Sequence, residues 1–310
     1  MKFIRNKKVI IAVSVTVLIL SVLAVFLIII PNYKYSKAVD KINSGKYAEA
    51  VEIFGEIGFY KDSSDRIKEA YYLMAEESEA DGNKTQAAIN FGKASGYSDA
   101  SGRSFALWDD IADRETVSAG AYHTVAVKTD GTVVATEFSG NYYGGQCDVE
   151  GWTDIIAVSA GHGHTAGLKS DGTVVAVGNN DNGQCNTDKW TDIVSISASF
   201  GHTVGLKSDG TVIAVGRNEQ GQCNVDGQTD TAEISAGYYH SVLLKADGTV
   251  SVVGNREQGQ GDVDEWTDIV AVSAGEVHTV GLKSDGTVIA VGKNGFGQCK
   301  VETWTDIRVQ

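Results

Sequence analysis

The stretch GHGHTAGLKSDGTVVAVGNNDNGQCNTDKWTDIVSISAS, Gly161 to Ser199, is followed at once by a second version of itself, FGHTVGLKSDGTVIAVGRNEQGQCNVDGQTD, from Phe200 to Asp230. The period runs well beyond these two copies. Asp-Gly begins at 130, 171, 209, 247 and 285, and histidine recurs at 123, 164, 202, 240 and 278, both in steps of 41, 38, 38 and 38 residues. Trp-Thr-Asp begins at 152, 190, 266 and 304, and Gln228 stands once in place of the tryptophan. This makes five copies and the start of a sixth. A period of this length, with several short strands per unit, is the signature of a β-propeller.

Each copy divides into short apolar segments. DIVSIS (192–197) alternates, HTVGLK (202–207) follows, and SDGT supplies an Asp-Gly hairpin whose glycine tolerates positive φ. TVIAV (211–215) is apolar on both faces, as a strand between neighbouring sheets should be, and a glycine-bounded loop leads to GQCNV (221–225). The pattern predicts a mostly β fold: a propeller of five four-stranded repeats over residues 108–310. Ala126, Gly167, Gly205 and Gly281 share one position, with Leu243 as the exception. A small residue there predicts a close approach of strands near a crowded axis.

The repeat SAGxxHTVGLKSDGTVVAVGxNxxGQC resembles those of the regulator of chromosome condensation family, over about two-thirds of the chain. The resemblance implies a β-propeller. Members of that family include an exchange factor for a small GTPase, and others bind unrelated proteins. The family commonly has seven blades, so five copies leave blade number and ring closure open. WTDIRVQ (304–310) is either a closing strand on the first blade or a loose end.

The N-terminal part reads differently. MKFIRNKK carries Lys2, Arg5, Lys7 and Lys8, and Val9 to Ile30 is free of charge. At a rise of about 1.5 Å per residue the run covers roughly 33 Å, enough for the hydrocarbon core of a bilayer. It reads as a transmembrane signal anchor over 9–30, with a cleaved signal peptide as the rival. The basic tail, residues 1–8, then stays in the cytoplasm, and residues 31–310 lie outside it on a single-pass protein of the cell membrane. Residues 31–107 read as a helical stalk. SGKYAEAVEIFGEIGFYKDS (44–63) is echoed 37 residues later by DGNKTQAAINFGKASGYSDA (81–100), and GKYAEAV resembles the middle of a tetratricopeptide repeat. A peptide-binding groove is the alternative to a stalk.

Charge narrows the partners. Residues 108–310 hold twelve basic and twenty-eight acidic residues, and such a module repels phosphate backbones, so nucleic acid is not an expected partner. Cys147, Cys185, Cys223 and Cys299 occupy one equivalent site in successive repeats, which favours small buried thiols over disulfides.

No nucleophile elbow, phosphate loop or zinc-protease motif is present. The repeating histidines, aspartates, glutamines and tryptophans each solve a problem common to every blade. The expectation is a protein that is not an enzyme and needs no cofactor or metal. The residues that break the repeat are more informative. Between Ser-Ala-Gly and His-Thr lie Ala121-Tyr122, His162-Gly163, Phe200-Gly201, Tyr238-Tyr239 and Glu276-Val277. Before Gly-Gln lie Tyr142-Tyr143, Asn180-Asp181, Asn218-Glu219, Arg256-Glu257 and Asn294 to Phe296. In an up-and-down meander both stretches fall at one end of the sheets. The predicted binding face is thus Tyr122, Tyr142, Tyr143, His162, Asp181 and Phe200, with Glu219, Tyr238, Tyr239, Arg256, Glu276 and Phe296. The expected function is a membrane-anchored, extracytoplasmic binding protein whose partner is a protein or cell-surface polymer. A glycan-active enzyme, or nucleotide exchange by family analogy, is the alternative.

Overall fold

The 37-residue and 38-residue periods become two kinds of unit, with the division between Ser104 and Phe105. The computed structural model describes residues 25–58, 60–111, 115–137 and 144–309.

The first unit is helical. A π-helical turn, Val25–Ile29, runs into α1 (Ile30–Asn43), followed by α2 (Tyr47–Ile57), α3 (Ser63–Ala80) and α4 (Lys84–Lys93), while α5 (Ala100–Ile111) crosses the division into the second unit. Consecutive helices pack against one another from α1 to α4. The 37-residue echo is visible in side chains. Tyr35 meets buried Phe54 edge-on at 5.5 Å, and Tyr72 meets buried Phe91 at 5.3 Å. The hydroxyl of Tyr35 donates to Asp62, and that of Tyr72 to Asp99 at 2.7 Å.

The expected membrane-spanning helix over 9–30 is corrected here. Among the described residues no helix is long and apolar enough to cross a membrane. Residues 9–24 lie outside the described residues, and the helix entered at Ile30 carries Lys34, Lys37, Asp40 and Lys41. Charges at that spacing cannot lie in hydrocarbon without a large cost. The single-pass placement, with the bulk of the chain outside the cell, falls with the helix.

The second unit holds five antiparallel sheets in sequence order. They are β1 (Val117–Ala119), β2 (Thr124–Val127) and β3 (Val133–Ala135); β4 (Ile155–Ala160), β5 (His164–Lys169) and β6 (Val174–Gly178); β7 (Ile193–Ala198), β8 (His202–Lys207) and β9 (Val212–Gly216). After these come β10 (Thr231–Ala236), β11 (His240–Lys245) and β12 (Val250–Gly254), and β13 (Ile269–Ala274), β14 (His278–Lys283) and β15 (Val288–Gly292).

Each sheet has three strands, not the four expected from the sequence. The segment read as a fourth strand, 221–225, spends its backbone on itself. Asn224 N donates to Gly221 O at 3.0 Å, Val225 N to Cys223 O at 2.9 Å, and Cys223 N to Asn218 Oδ1 at 2.9 Å. Gly221 has φ +83°, which bends the chain out of an extended path. Val225, fully buried, pins the resulting turn to the core.

Successive sheets share apolar seams. Val125, Val133 and Val149 of the first repeat pack with Ile155, Val158, Ala160 and Trp152 of the second, and later seams follow the same plan. The first strands run side by side and are laced by serines. Ser118, Ser159, Ser197 and Ser235 Oγ accept from Ala160, Ala198, Ala236 and Ala274 N of the following repeat at 2.9 to 3.0 Å. The small residue of the second strand serves a different purpose from the one expected. A Cβ at Gly167, Gly205 or Gly281 would lie 2.6 to 2.7 Å from Cζ3 of Trp152, Trp190 or Trp266. The glycine makes room for the tryptophan of its own repeat. Where Gln228 replaces the tryptophan, Leu243 fills the space and is fully buried.

The packing runs in order from the first sheet to the fifth, and among the described strands the first and fifth do not pack together in this way. Residues 304–309 form no strand; Ile307 N donates at 3.0 Å to Gly286 O of the fifth hairpin.

Candidate binding site at the aromatic end of the repeats

The loop between the first two strands of a repeat and the segment leaving its third strand meet at one end of each sheet. Asn179 N donates to Gly163 O, Arg217 N to Gly201 O, Asn255 N to Tyr239 O and Lys293 N to Val277 O, at 2.7 to 2.9 Å. At the opposite end the turns are closed on themselves. Thr211 N and Oγ1 both donate to Asp209 Oδ1, holding that carboxyl below its usual range, and Ile193 N donates to Gly172 O of the preceding repeat.

The recurring histidines are used between repeats. His123, His164, His202 and His240 place Nε2 at 2.7 to 3.1 Å from the hydroxyls of Thr165, Thr203, Ser241 and Thr279 in the next repeat. Those hydroxyls donate to the carbonyls of Gln146, Gln184, Gln222 and Gln260. The hydroxyl proton being spent, each imidazole must donate from Nε2. Nδ1 is then the bare nitrogen, and it has no partner in any of the four. Burial holds His164 and His240 down at about 4 and His202 at about 3, so they are neutral. They contain no metal site: among the described residues no three His, Cys, Asp or Glu converge on one. The thiols of Cys185 and Cys223 donate to backbone carbonyls, and burial raises both to about 11, which makes them poor nucleophiles.

Above this frame the loop residues form a strip of rings. Tyr122 meets His162 edge-on at 5.0 Å, and His162 meets Phe200 at 4.9 Å. Phe200 stacks on Tyr238 at 3.9 Å, and Tyr238 contacts Tyr239 at 4.7 Å. The strip crosses the loops of four consecutive repeats. Tyr122 is half-exposed and the others are partly buried. Burial raises the Tyr238 phenol, with smaller contributions from Tyr239, Glu276 and Tyr122, so it stays neutral.

The other predicted residues are placed differently. Glu219 lies beside the strip through Arg217, whose Nε donates to it at 2.9 Å. Asp181 accepts from Asn179 Nδ2 at 2.6 Å. Arg256 folds back, donating to Val252 O at 2.6 Å, and its stem fills the space over Gly261, where the other repeats carry cysteine. Glu276 is exposed, and Phe296 is 92% exposed with no ring contact joining it to the strip among the described residues. Tyr142 and Tyr143 lie outside the described residues.

One residue absent from the sequence reading belongs here. The Arg217 guanidinium lies 5.2 Å from the Tyr239 ring centre and 5.8 Å from that of Phe200. Its signal was available: asparagine stands at the equivalent positions 179 and 255, and lysine at 293.

Comparison with known proteins agrees with the repeat reading. Residues 155–184, 193–222, 232–260 and 269–298 match the Regulator of chromosome condensation (RCC1) repeat. These four segments of the chain are RCC1-like repeats. No curated protein matches it in sequence. Yeast RCC1 (Prp20), solved bound to Kap60, is similar at 20% identity and TM-score 0.48, over 62% of this chain and 59% of that one. Prp20p from Saccharomyces cerevisiae, in a study of its binding to Gsp1p and histones, gives 19% identity and TM-score 0.47 over 62% and 61%. The ectodomain of the Physcomitrella patens receptor kinase CR4 gives 18% and 0.46 over 57% and 51%. The chain spans about three-fifths or less of the length of these structures.

Proposed function

We propose that this protein is a non-enzymatic binding module, and that the aromatic end of its RCC1-like repeats holds a protein partner. The observation that carries the reading is the continuous strip from Tyr122 to Tyr239, built from residues in which the repeats differ. Partly buried tyrosines beside an arginine have the composition of binding hot spots, and loops fixed to a rigid frame are where such spots sit. The buried neutral histidines and high-pKa thiols serve the frame. Neutral and buried, they are not poised as nucleophiles or acid–base groups.

The test uses the full chain as bait, with partners cross-linked and identified by mass spectrometry. Phe200→Leu with Tyr239→Leu should remove the partner while leaving the melting temperature within a few degrees. Undiminished capture by the double variant would refute the reading.

A further inference from the structure

In the second and fourth repeats the residue that follows the third strand has the same duty. Asn179 Oδ1 accepts from Gln184 Nε2 at 2.6 Å, and Asn255 Oδ1 accepts from Gln260 Nε2 at 2.8 Å. Both glutamines are buried. In the third repeat Arg217 occupies that position, and a guanidinium has no acceptor to offer. The consequence is visible: Gln222, fully buried, has an Nε2 with no partner. An unmet buried amide is costly, so Arg217 works against the packing of its own repeat. Such departures from a local rule tend to mark functional positions.

The surroundings of Arg217 indicate what it could hold. The guanidinium lies against Tyr239 and Phe200, and Nε and Nη2 donate to Glu219. An acidic residue two places on is ordinary in these repeats, since Asp181 and Glu257 stand at the same position. Lys293 departs from asparagine too, but it is exposed, whereas Arg217 lies against the rings; the glutamate is no departure. Glu219 is exposed, with 65% of its side chain open to solvent, and so it can swing away at little cost. A guanidinium stacked on rings presents planar donors suited to a carboxylate.

We propose that Arg217 is the anchor of the aromatic site and takes an aspartate or glutamate side chain of the partner protein, whose carboxylate displaces Glu219 while its apolar neighbours cover the rings. This rests on the reading of the aromatic end as a binding surface and adds the chemistry of what binds there. The excess acidic charge of the unit does not oppose it strongly, because charges beyond about 8 Å are screened at physiological salt.

Three capped peptides, Gly-Phe-Glu-Phe-Gly and its versions with glutamine or lysine at the centre, test this by NMR titration of the full chain. The glutamate peptide should shift the loop resonances and bind at least about fivefold tighter than the glutamine form, the size of a charge-assisted pair. Arg217→Asn should abolish that preference while raising the melting temperature, since Asn restores the acceptor for Gln222. Arg217→Lys should weaken it, and Glu219→Gln should strengthen it severalfold. A preference for the lysine peptide that depends on Phe200 and Tyr239 overturns the proposal and leaves the aromatic site standing. Failure of every peptide to sense Phe200→Leu overturns both.

Discussion

Nε2 of His202 lies 3.0 Å from the hydroxyl of Ser241 in the next repeat, and that hydroxyl donates at 2.8 Å to the carbonyl of Gln222, back in the repeat of His202. One repeat thus grips the next from two sides through a single oxygen. Ser241→Ala removes the oxygen and strands both a buried imidazole N–H and a buried carbonyl. The expected loss is about 1–3 kcal/mol in urea unfolding, and Ser241→Thr should restore nearly all of it, since threonine does the same work in the other seams. A Ser241→Ala variant as stable as the parent would mean that the seam does not depend on this bond.

Acid should loosen the same seams. The folded values of His164, His202 and His240 lie well below the unfolded value of 6.5, so the unfolded chain takes up protons first as pH falls. Stability is fully present above about pH 6.5 and declines toward pH 4, by up to about 1.4 kcal/mol per pH unit for each histidine. Urea midpoints between pH 7 and pH 4.5 would show the slope. A flat profile would show that these rings accept protons while folded.

The pairing of tryptophan with glycine makes a reciprocal prediction. Gly205→Leu drives a side chain into Trp190, which a Cβ alone would approach to 2.6 Å, and should cost about 2–4 kcal/mol. Trp190→Gln opens a cavity and should cost a similar amount. Together they reproduce the Gln228 and Leu243 pair of the fourth repeat, so the double variant should recover much of the loss. Simple addition of the two losses in a double-mutant cycle would contradict this packing.

Replacing Arg217 should reveal its cost. Arg217→Asn supplies the acceptor that Gln222 lacks and should stabilise the fold by about 1 kcal/mol, readable as a higher urea midpoint. Gln222→Leu, which removes the orphan amide altogether, should also be tolerated in the Arg217 background. Destabilisation by Arg217→Asn would show that the stacked guanidinium contributes more than the missing bond.

Much of this was legible in sequence because a repeat states its structure five times. The hairpins at Asp-Gly, three apolar strands per repeat, a structural role for the histidines and the sharing of one end by both variable stretches all follow from period and turn chemistry. The fourth strand was misread because GQCNV has strand composition, while its fate is decided by a left-handed glycine and the side-chain oxygen of Asn218, which composition does not record. Gly205 looked like an axis residue because its partner, Trp190, lies 15 positions away in a different segment. Arg256 was read as a residue of the binding face, yet the loss of cysteine at Gly261 opened a slot that its stem fills. Arg217 escaped notice because its meaning lies in the bond it withholds from Gln222.

The seams also set how the unit comes apart. His278, last of the series, is only half-buried, and Val117, in the first strand, is 64% exposed although its counterpart Val158 is fully buried. Among the described strands, the first and fifth sheets each pack on one neighbouring sheet, whereas the three between them pack on two. In such a linear array opening starts where a neighbour is lacking and travels inward. Amide hydrogens should therefore exchange fastest in β1–β3 and β13–β15 and slowest in β7–β9, the sheet that carries Phe200 and Arg217 on its loops. Phe200 and Arg217, at the centre of the proposed site, thus lie on the part of the protein expected to open last.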